Sequence, residues 1–383
     1  MYRDTYLHID LDLLEENLDF LRKEWGPCEI LAVLKANAYG HGAQVMAKAL
    51  EEEGINHFGV AYLNEALDLR KVTKSDILLL SPSPMDQYQK IVEADLTQSI
   101  SSYEEGLALI EAGKLLSKKA RAEIKLETGF YRYGFPDSDK SIAEIEDLYK
   151  RGLDLLGLYS HLRLVGEEEN QNQFNRLMDF SRRLSLRGVD LKLHIADSIA
   201  SLKYPEFRLD RVRLGALIYG MTPTGSNIDS IKPIASLKTR VSGIKELKKG
   251  QGLGYNKSWI AQVDSVVGLF PLGYGDGLPR GLSNKGHVII RGQKAPMIGL
   301  MNMDSFVVDL TNIEGVKLGD EALVFGTGQK GDMTLQIIAG FIDTNKNETL
   351  AKLQARLPRY YTKGEKSLYL DSFLGEEKGD LFK

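Results

Sequence analysis

Cysteine is almost absent: Cys28 stands alone among 383 residues. A single thiol excludes an internal disulfide and a multi-thiolate metal site. It suits a reducing compartment, so a cytoplasmic protein is expected. Cys28 itself reads as a small, apolar-behaving residue leading into a strand. Long apolar runs are missing as well. The longest, such as Ile77–Leu80, fall far short of the ~20 residues that a membrane-spanning helix needs. Residues 1–12 carry Arg3, Asp4, Asp10 and Asp12 and no apolar stretch, so no signal peptide is expected there. A basic block or stripe is also lacking. The 49 basic and 53 acidic residues are spread along the chain and leave a net charge of −4, which argues against nucleic acid and anionic membranes as partners. His41, in a glycine-rich loop, has no second His or Cys at metal-ligand spacing, and no metal site is expected.

What is present is an ordinary globular composition, 43% apolar and 27% charged, in a chain long enough for two domains. Short apolar runs recur at Ile30–Leu34, His57–Ala61, Ile77–Leu80, Leu96–Ile100, Ala122–Leu126, Leu155–Ser160, Leu191–Ile195 and Val212–Leu217. They lack clear alternation, as parallel strands buried on both faces do. Helical patterns lie between them, among them Gln44–Glu53, Tyr103–Ser117 and Gln171–Leu186. Ser101 and Glu104 have capping-box spacing at the start of the second. About eight β–α units over residues 28–222 favour a closed (β/α)8 TIM-type barrel, with an open doubly wound sheet as the other arrangement such alternation allows. After the turn-rich Thr222-Pro223-Thr224-Gly225 the pattern changes to short strands, at Thr239–Ile244, Ser265–Phe270, His287–Ile290, Ser305–Asp309 and Ala322–Phe325, with a helix at Thr334–Phe341. The expected organisation is therefore an α/β barrel over residues 11–231 and a mostly β domain over 232–383. Residues 1–10 alternate in strand fashion and can pair in either domain, the C-terminal one included.

Barrel enzymes carry their reactive groups at the C-terminal ends of the strands. The polar residues found there are Lys35 after the first run, Lys125 and Arg132 around the fifth, His161 after the sixth, His194, Asp197 and Ser198 after the seventh, and Arg213 on the eighth. A lysine at a strand end, desolvated and near other cations, becomes a usable amine nucleophile. The same spacing also fits a lysine that simply reaches solvent. Ser198, opening a helix expected at Ser198–Tyr204, and the amides of Gly215 and Ala216 are donors suited to an anion, and Ser198 fits a helix cap equally well.

Longer motifs narrow these options. They are Lys35-Ala36-Asn37-Ala38-Tyr39-Gly40-His41-Gly42, Thr128-Gly129-x-x-Arg132-x-Gly134, Arg213-x-Gly215, Gly254-Tyr255, Gly273-Tyr274-Gly275-Asp276-Gly277, Met303-Asp304 and Arg356-Leu357-Pro358-Arg359-Tyr360-Tyr361. In this order they resemble the alanine racemase family across nearly the whole chain. The resemblance implies a barrel enzyme that carries pyridoxal 5′-phosphate (PLP) on Lys35 and interconverts L- and D-alanine, a small amino-acid substrate, to supply D-alanine for peptidoglycan. Lys35 would be the base for the D-enantiomer. Tyr255, from the partner of a homodimer, would be the base for the L-enantiomer. Tyr39, Ser198, Gly215, Ala216 and Tyr361 would hold the cofactor phosphate, and Arg213 would face the ring nitrogen. Arg132 and the Met303 backbone, the latter also from the partner, would meet the substrate carboxylate. His161 would lie at the cofactor and, with Arg213, would be a cation able to lower the phenol pKa of Tyr255. Lys125 matches a lysine that the family can carry as a carbamate, with an unmodified lysine as the alternative.

Three departures from the family pattern stand out: Asp197 in place of the usual asparagine, Asn302 where cysteine is frequent, and Phe130-Tyr131 where smaller residues precede Arg132. The first is odd unless a cation pairs with it. Rival functions are a racemase for serine or a broad substrate range, a PLP decarboxylase, and a non-catalytic PLP-binding protein. The lack of any cysteine beyond Cys28 speaks against the second, and the C-terminal domain with Tyr255 against the third. Gly326-Thr327-Gly328-Gln329-Lys330-Gly331 fits a nucleotide-binding glycine pattern only literally and reads as a turn. Trp25 and Trp259 read as packing residues.

Overall fold

The computed structural model describes residues 3–26, 28–223 and 228–382, so part of the Thr222–Gly225 turn lies outside the described residues. Two compact units emerge: Phe20–Ala38 with Gly42–Ile218, and Met1–Asp19 with Tyr39–His41 and Tyr219–Lys383.

After the N-terminal strand β1 (Tyr6–Asp10), eight parallel strands build the barrel unit: β2 (Glu29–Val33), β3 (His57–Val60), β4 (Asp76–Leu79), β5 (Thr97–Ile100), β6 (Arg121–Glu127), β8 (Asp154–Tyr159), β9 (Lys192–His194) and β10 (Arg211–Leu214), with the two-residue β7 (Phe135–Pro136) beside β6. The sheet runs from β10 through β2 to β9. It closes on itself through an Asp197–Arg213 bridge, with the Asp210 amide donating to the Leu193 carbonyl and Arg213 to Ala196. Strands buried on both sides explain why the runs look continuously apolar in places. Two strands nevertheless alternate. On β6, Glu123 and Lys125 are buried between Ala122, Ile124 and Leu126; on β10, Arg211 and Arg213 are buried between Val212 and Leu214. A period of two puts each such pair on one face, and the Arg211–Glu123 ion pair across the barrel shows that this face is the interior. Gly157 makes room for it, since a Cβ there would meet the Glu123 carboxyl at 3.0 Å.

The outer helices bury one stripe each. Glu167–Ser185 buries Asn170, Gln173, Leu177, Phe180 and Leu184, a 3–4 spacing that follows the helical repeat. Tyr103–Leu115 begins one residue later than its capping pattern suggests: Ser102 accepts from the Glu105 amide, and the Glu105 carboxylate accepts from Ser101. Trp25 ends helix Leu11–Trp25 with Arg208 over its ring, 5.2 Å away.

The second unit adds β11 (Ala235–Arg240), β12 (Gly243–Leu247), β13 (Gly252–Leu253), β14 (Trp259–Ile260), β15 (Ser265–Phe270), β16 (His287–Ile290), β17 (Gln293–Ile298), β18 (Phe306–Asp309), β19 (Glu321–Phe325), β20 (Arg359–Lys363), β21 (Lys366–Asp371) and β22 (Glu376–Gly379). All but the β13–β14 pair join one eleven-stranded sheet. β1 sits inside that sheet, antiparallel to β11 and parallel to β20. The single strand expected at Thr239–Ile244 is two: β11 pairs with β19, β12 with β15, and the partner changes at Val241–Ser242. The glycine run after Phe325 is a turn in which Asp332 accepts from the Gly328 and Lys330 amides.

Candidate active site

Lys35 follows β2 by two residues and stands on the C-terminal rim of the barrel. Directly after it the backbone turns left-handed, with φ between 52° and 56° at Ala36, Asn37, Ala38 and Tyr39. Each non-glycine residue in that region costs roughly 1–2 kcal/mol, so the segment has to be held. The Ala38 amide donates to the Leu34 carbonyl (2.8 Å), Gly42 to the Asn37 carbonyl (2.9 Å) and Ala43 to Asn37 Oδ1 (2.8 Å), while Glu65 Oε1 accepts from Ala36 (2.6 Å). Lys35 is accessible to solvent. The protein around its amine still lowers its pKa, through burial first and then the Arg132 cation; Glu65 opposes this, Arg213 adds to it, and Asp197 opposes.

Arg213 is buried, and both of its terminal guanidinium nitrogens are engaged. One guanidinium nitrogen donates to His194 Nδ1 (2.9 Å) and the His194 carbonyl (3.3 Å); the other donates to the carbonyls of Ser160 (2.8 Å) and Ile195 (3.0 Å) and to His161 Nδ1 (3.2 Å). An arginine has no acceptor to offer, so both rings must present lone pairs to it. For His194 this leaves the proton on Nε2, facing the Glu123 carboxylate at 2.8 Å. Burial drops the His194 pKa to about 4 despite Glu123. Burial, Arg213 and Arg132 drop His161 to about 2. His161 is therefore a neutral ring and not the expected cation, which leaves Arg213 as the positive charge of the pair.

Lys125 projects into the barrel with its amine 5.3 Å from the Tyr159 ring centre and 5.9 Å from Tyr133. Burial, Arg132 and Arg213 bring its pKa down to about 7. Arg132 lies over the Phe130 ring at 4.4 Å, and Phe130 packs against His161 at 5.0 Å. Ser198 is buried, and its Oγ accepts from the amides of Gly215 (3.2 Å) and Leu217 (3.4 Å). Asp197 needs no paired cation: its Oδ1 accepts from the Ile199 and Ala200 amides, both at 2.9 Å, and so caps the short helix Ala200–Lys203. That helix begins two residues after Ser198 and takes its cap from Asp197 instead.

In the other unit, Tyr361 is wholly buried and its hydroxyl donates to the His41 carbonyl (2.7 Å), so holding an anion would require that hydroxyl to turn. Tyr39 packs on Tyr219 with ring centres 5.4 Å apart. Gly40 is obligatory there: φ is 89°, and a Cβ would stand 2.3 Å from the Leu350 carbonyl. Tyr255 follows Gly254 on a tight turn and is 69% exposed; Met303 is 53% exposed. The Met303 loop is anchored by the buried Asp276, which binds Arg3 and Arg356, while Arg356 reaches Asp304.

The polar residues that sequence reading did not single out are Glu65, Glu123, Arg211, Tyr159 and Tyr133. The i, i+2 pairs Glu123/Lys125 and Arg211/Arg213 were the available signal for the barrel interior, hidden inside runs that read as apolar.

The donor set fits PLP. An amine of lowered pKa can bond an aldehyde, a serine hydroxyl with neighbouring amides suits a phosphate, and a fixed guanidinium suits a ring nitrogen. These groups lie on the rim of one (β/α)8 barrel and define a PLP enzyme of the barrel class. Residues 9–223 match the family model for the alanine racemase N-terminal domain and residues 234–361 that for the C-terminal domain. Alanine racemase 1 of Caldanaerobacter subterraneus subsp. tengcongensis is 35% identical over 368 residues, covering 94% of this chain and 95% of that one. The solved alanine racemase of Clostridium difficile 630 superposes with a TM-score of 0.91 at 29% identity, covering 96% and 98% of the two chains. That of Bartonella henselae, with covalently bound pyridoxal phosphate, gives 0.83 at 27% identity, covering 94% and 99%. The chain belongs to the alanine racemase family. It is an amino-acid racemase, and its cofactor is PLP. No helix among the described residues is long and apolar enough to cross a membrane.

Proposed function

We propose that this protein interconverts L- and D-alanine in the cytoplasm, supplying D-alanine for peptidoglycan, with Lys35 and Tyr255 as the two bases. The carrying observation is the Lys35 amine on the barrel rim, its pKa lowered by burial and by Arg132. Bound PLP would supply the electron sink that makes the Cα–H of an amino acid acidic. Racemisation then needs a proton carrier on each face of Cα. The Lys35 amine serves one face: it takes the proton from the D-enantiomer, and in the reverse direction it donates the proton that forms it. The Tyr255 phenol serves the other. Its exposure, like that of Met303, fits a homodimer in which each chain lends these two residues to its partner's barrel. Arg132 pairs with the substrate carboxylate, and the Met303 backbone amide is a second donor. Arg213 would face the cofactor ring nitrogen and donate a hydrogen bond without giving up a proton. An always-charged donor makes a weaker sink than a protonated ring would, which limits side reactions. Ser198, Gly215 and Ala216 would hold the phosphate, with Tyr39 and Tyr361.

Tyr255→Phe should block Cα hydrogen exchange from L-alanine far more than from D-alanine, as followed by deuterium incorporation from solvent. Equal loss in both directions would falsify the two-base assignment. Serine and lysine assayed beside alanine would place the substrate, and preferential turnover of serine would replace alanine in this reading.

A further inference from the structure

The left-handed turn after Lys35 is tied down by a group on another strand–helix unit. The Glu65 carboxylate uses both oxygens: Oε1 accepts from the Ala36 amide at 2.6 Å, and Oε2 accepts from the amides of Ala61 (2.8 Å) and Tyr62 (3.2 Å). The bonds from Ala61 and Tyr62 secure the entry to helix Leu63–Arg70, the Tyr62 bond as part of its capping box. The third is not needed for capping. It runs from the first turn of that helix to the first left-handed residue after Lys35.

We propose that Glu65 is a positioning residue for Lys35: its carboxylate holds Ala36 in the left-handed turn, and so fixes where the Lys35 amine stands, while its charge offsets the cations around that amine. This rests on the reading of Lys35 as the reactive amine. The charged groups acting on Lys35 are Arg132 and Arg213 on one side of the balance and Glu65 and Asp197 on the other, Glu65 being the larger of the two opposing carboxylates, and Lys125 and the His161 ring also feel the Lys35 charge. Chemistry restricts the position to a carboxylate. A glutamine has one acceptor oxygen, so its amide nitrogen would face either Ala36 or the Ala61–Tyr62 pair, donor against donor. An aspartate keeps charge and both oxygens but is one methylene shorter.

The test uses the full chain, with cofactor for hydrogen exchange and after cofactor removal for amine labelling. Neither measurement involves substrate, so its failure is distinct from failure of the racemase reading. In Glu65→Gln the Ala36 amide should exchange faster by on the order of tenfold to a hundredfold, the loss expected for a hydrogen bond to a charged group. The pH at which acetic anhydride labels Lys35 at half its maximal rate should fall. Ser102→Ala, which removes a cap elsewhere on the barrel, should change neither. An unchanged Lys35 titration would overturn the proposal and leave Glu65 a tie on the backbone alone, and unchanged Ala36 exchange would overturn it and leave Glu65 a helix cap. Should the glutamine variant not fold, Glu65→Asp is read the same way for Ala36 exchange, with the Lys35 midpoint closer to wild type because the charge remains.

Discussion

Lys125 shows how far a barrel interior can push one side chain. An ordinary lysine is charged at neutral pH, yet burial and the neighbouring Arg132 and Arg213 cations bring this one to about 7. Above that pH the amine is neutral and nucleophilic; below it the lone pair is taken by a proton. A neutral amine can add to the carbon of CO2 and release one proton to solvent, giving a carbamate. This would exchange a repulsion between Lys125 and Arg132 for an attraction. The expectation is that 13C-labelled bicarbonate gives a carbamate resonance that grows as pH rises through about 7 at fixed dissolved CO2, and that is missing in Lys125→Gln. A wild-type spectrum without that resonance sinks the modified form. Arg132 itself is steadied by Phe130, so one of the two larger residues before it packs on the cation proposed to meet the substrate carboxylate.

At the scale of the elements, the helix caps carry a measurable share of stability. Ser102→Ala removes the acceptor for the Glu105 amide and should cost about 1 kcal/mol, read as a lower urea midpoint at unchanged slope; an unchanged midpoint would mean that Glu105 alone holds this helix end. All eight barrel strands were legible in the sequence, because a strand covered on both faces leaves a dense apolar run between helical repeats. The motif residues of the rim were legible through their order along the chain. What escaped depends on partners that lie far off in sequence. The strand break at Val241–Ser242 is invisible because alternation continues through it while the pairing strand changes from β19 to β15. The left-handed turn is hidden because Ala36 and Ala38 are good helix formers and only Asn37 tolerates positive φ readily. Glu65, which holds that turn, looks like any first-turn acid. Likewise the neutrality of His161 follows from burial and then Arg213, and no local pattern announces it.

At the scale of the whole molecule, the proposed partner-supplied base would make the active unit a pair of chains. Lys35→Ala and Tyr255→Phe chains, each inactive alone, should regain part of the activity when unfolded together and refolded as mixed dimers; mixed dimers without activity would place both bases in one chain. Assembly has an earlier requirement. β1 lies between β11 and β20 in the large sheet, although roughly 350 positions separate Leu7 from its partner Arg359, so at 5–20 residues per second β1 would wait about 20–70 s for that neighbour to be synthesised. During synthesis β1 is made before the other strands described here, yet it is among the last to be enclosed. Until then its unpaired edge, with Leu7 and Ile9 uncovered, is a place for a chaperone to hold the nascent chain or for two nascent chains to pair wrongly.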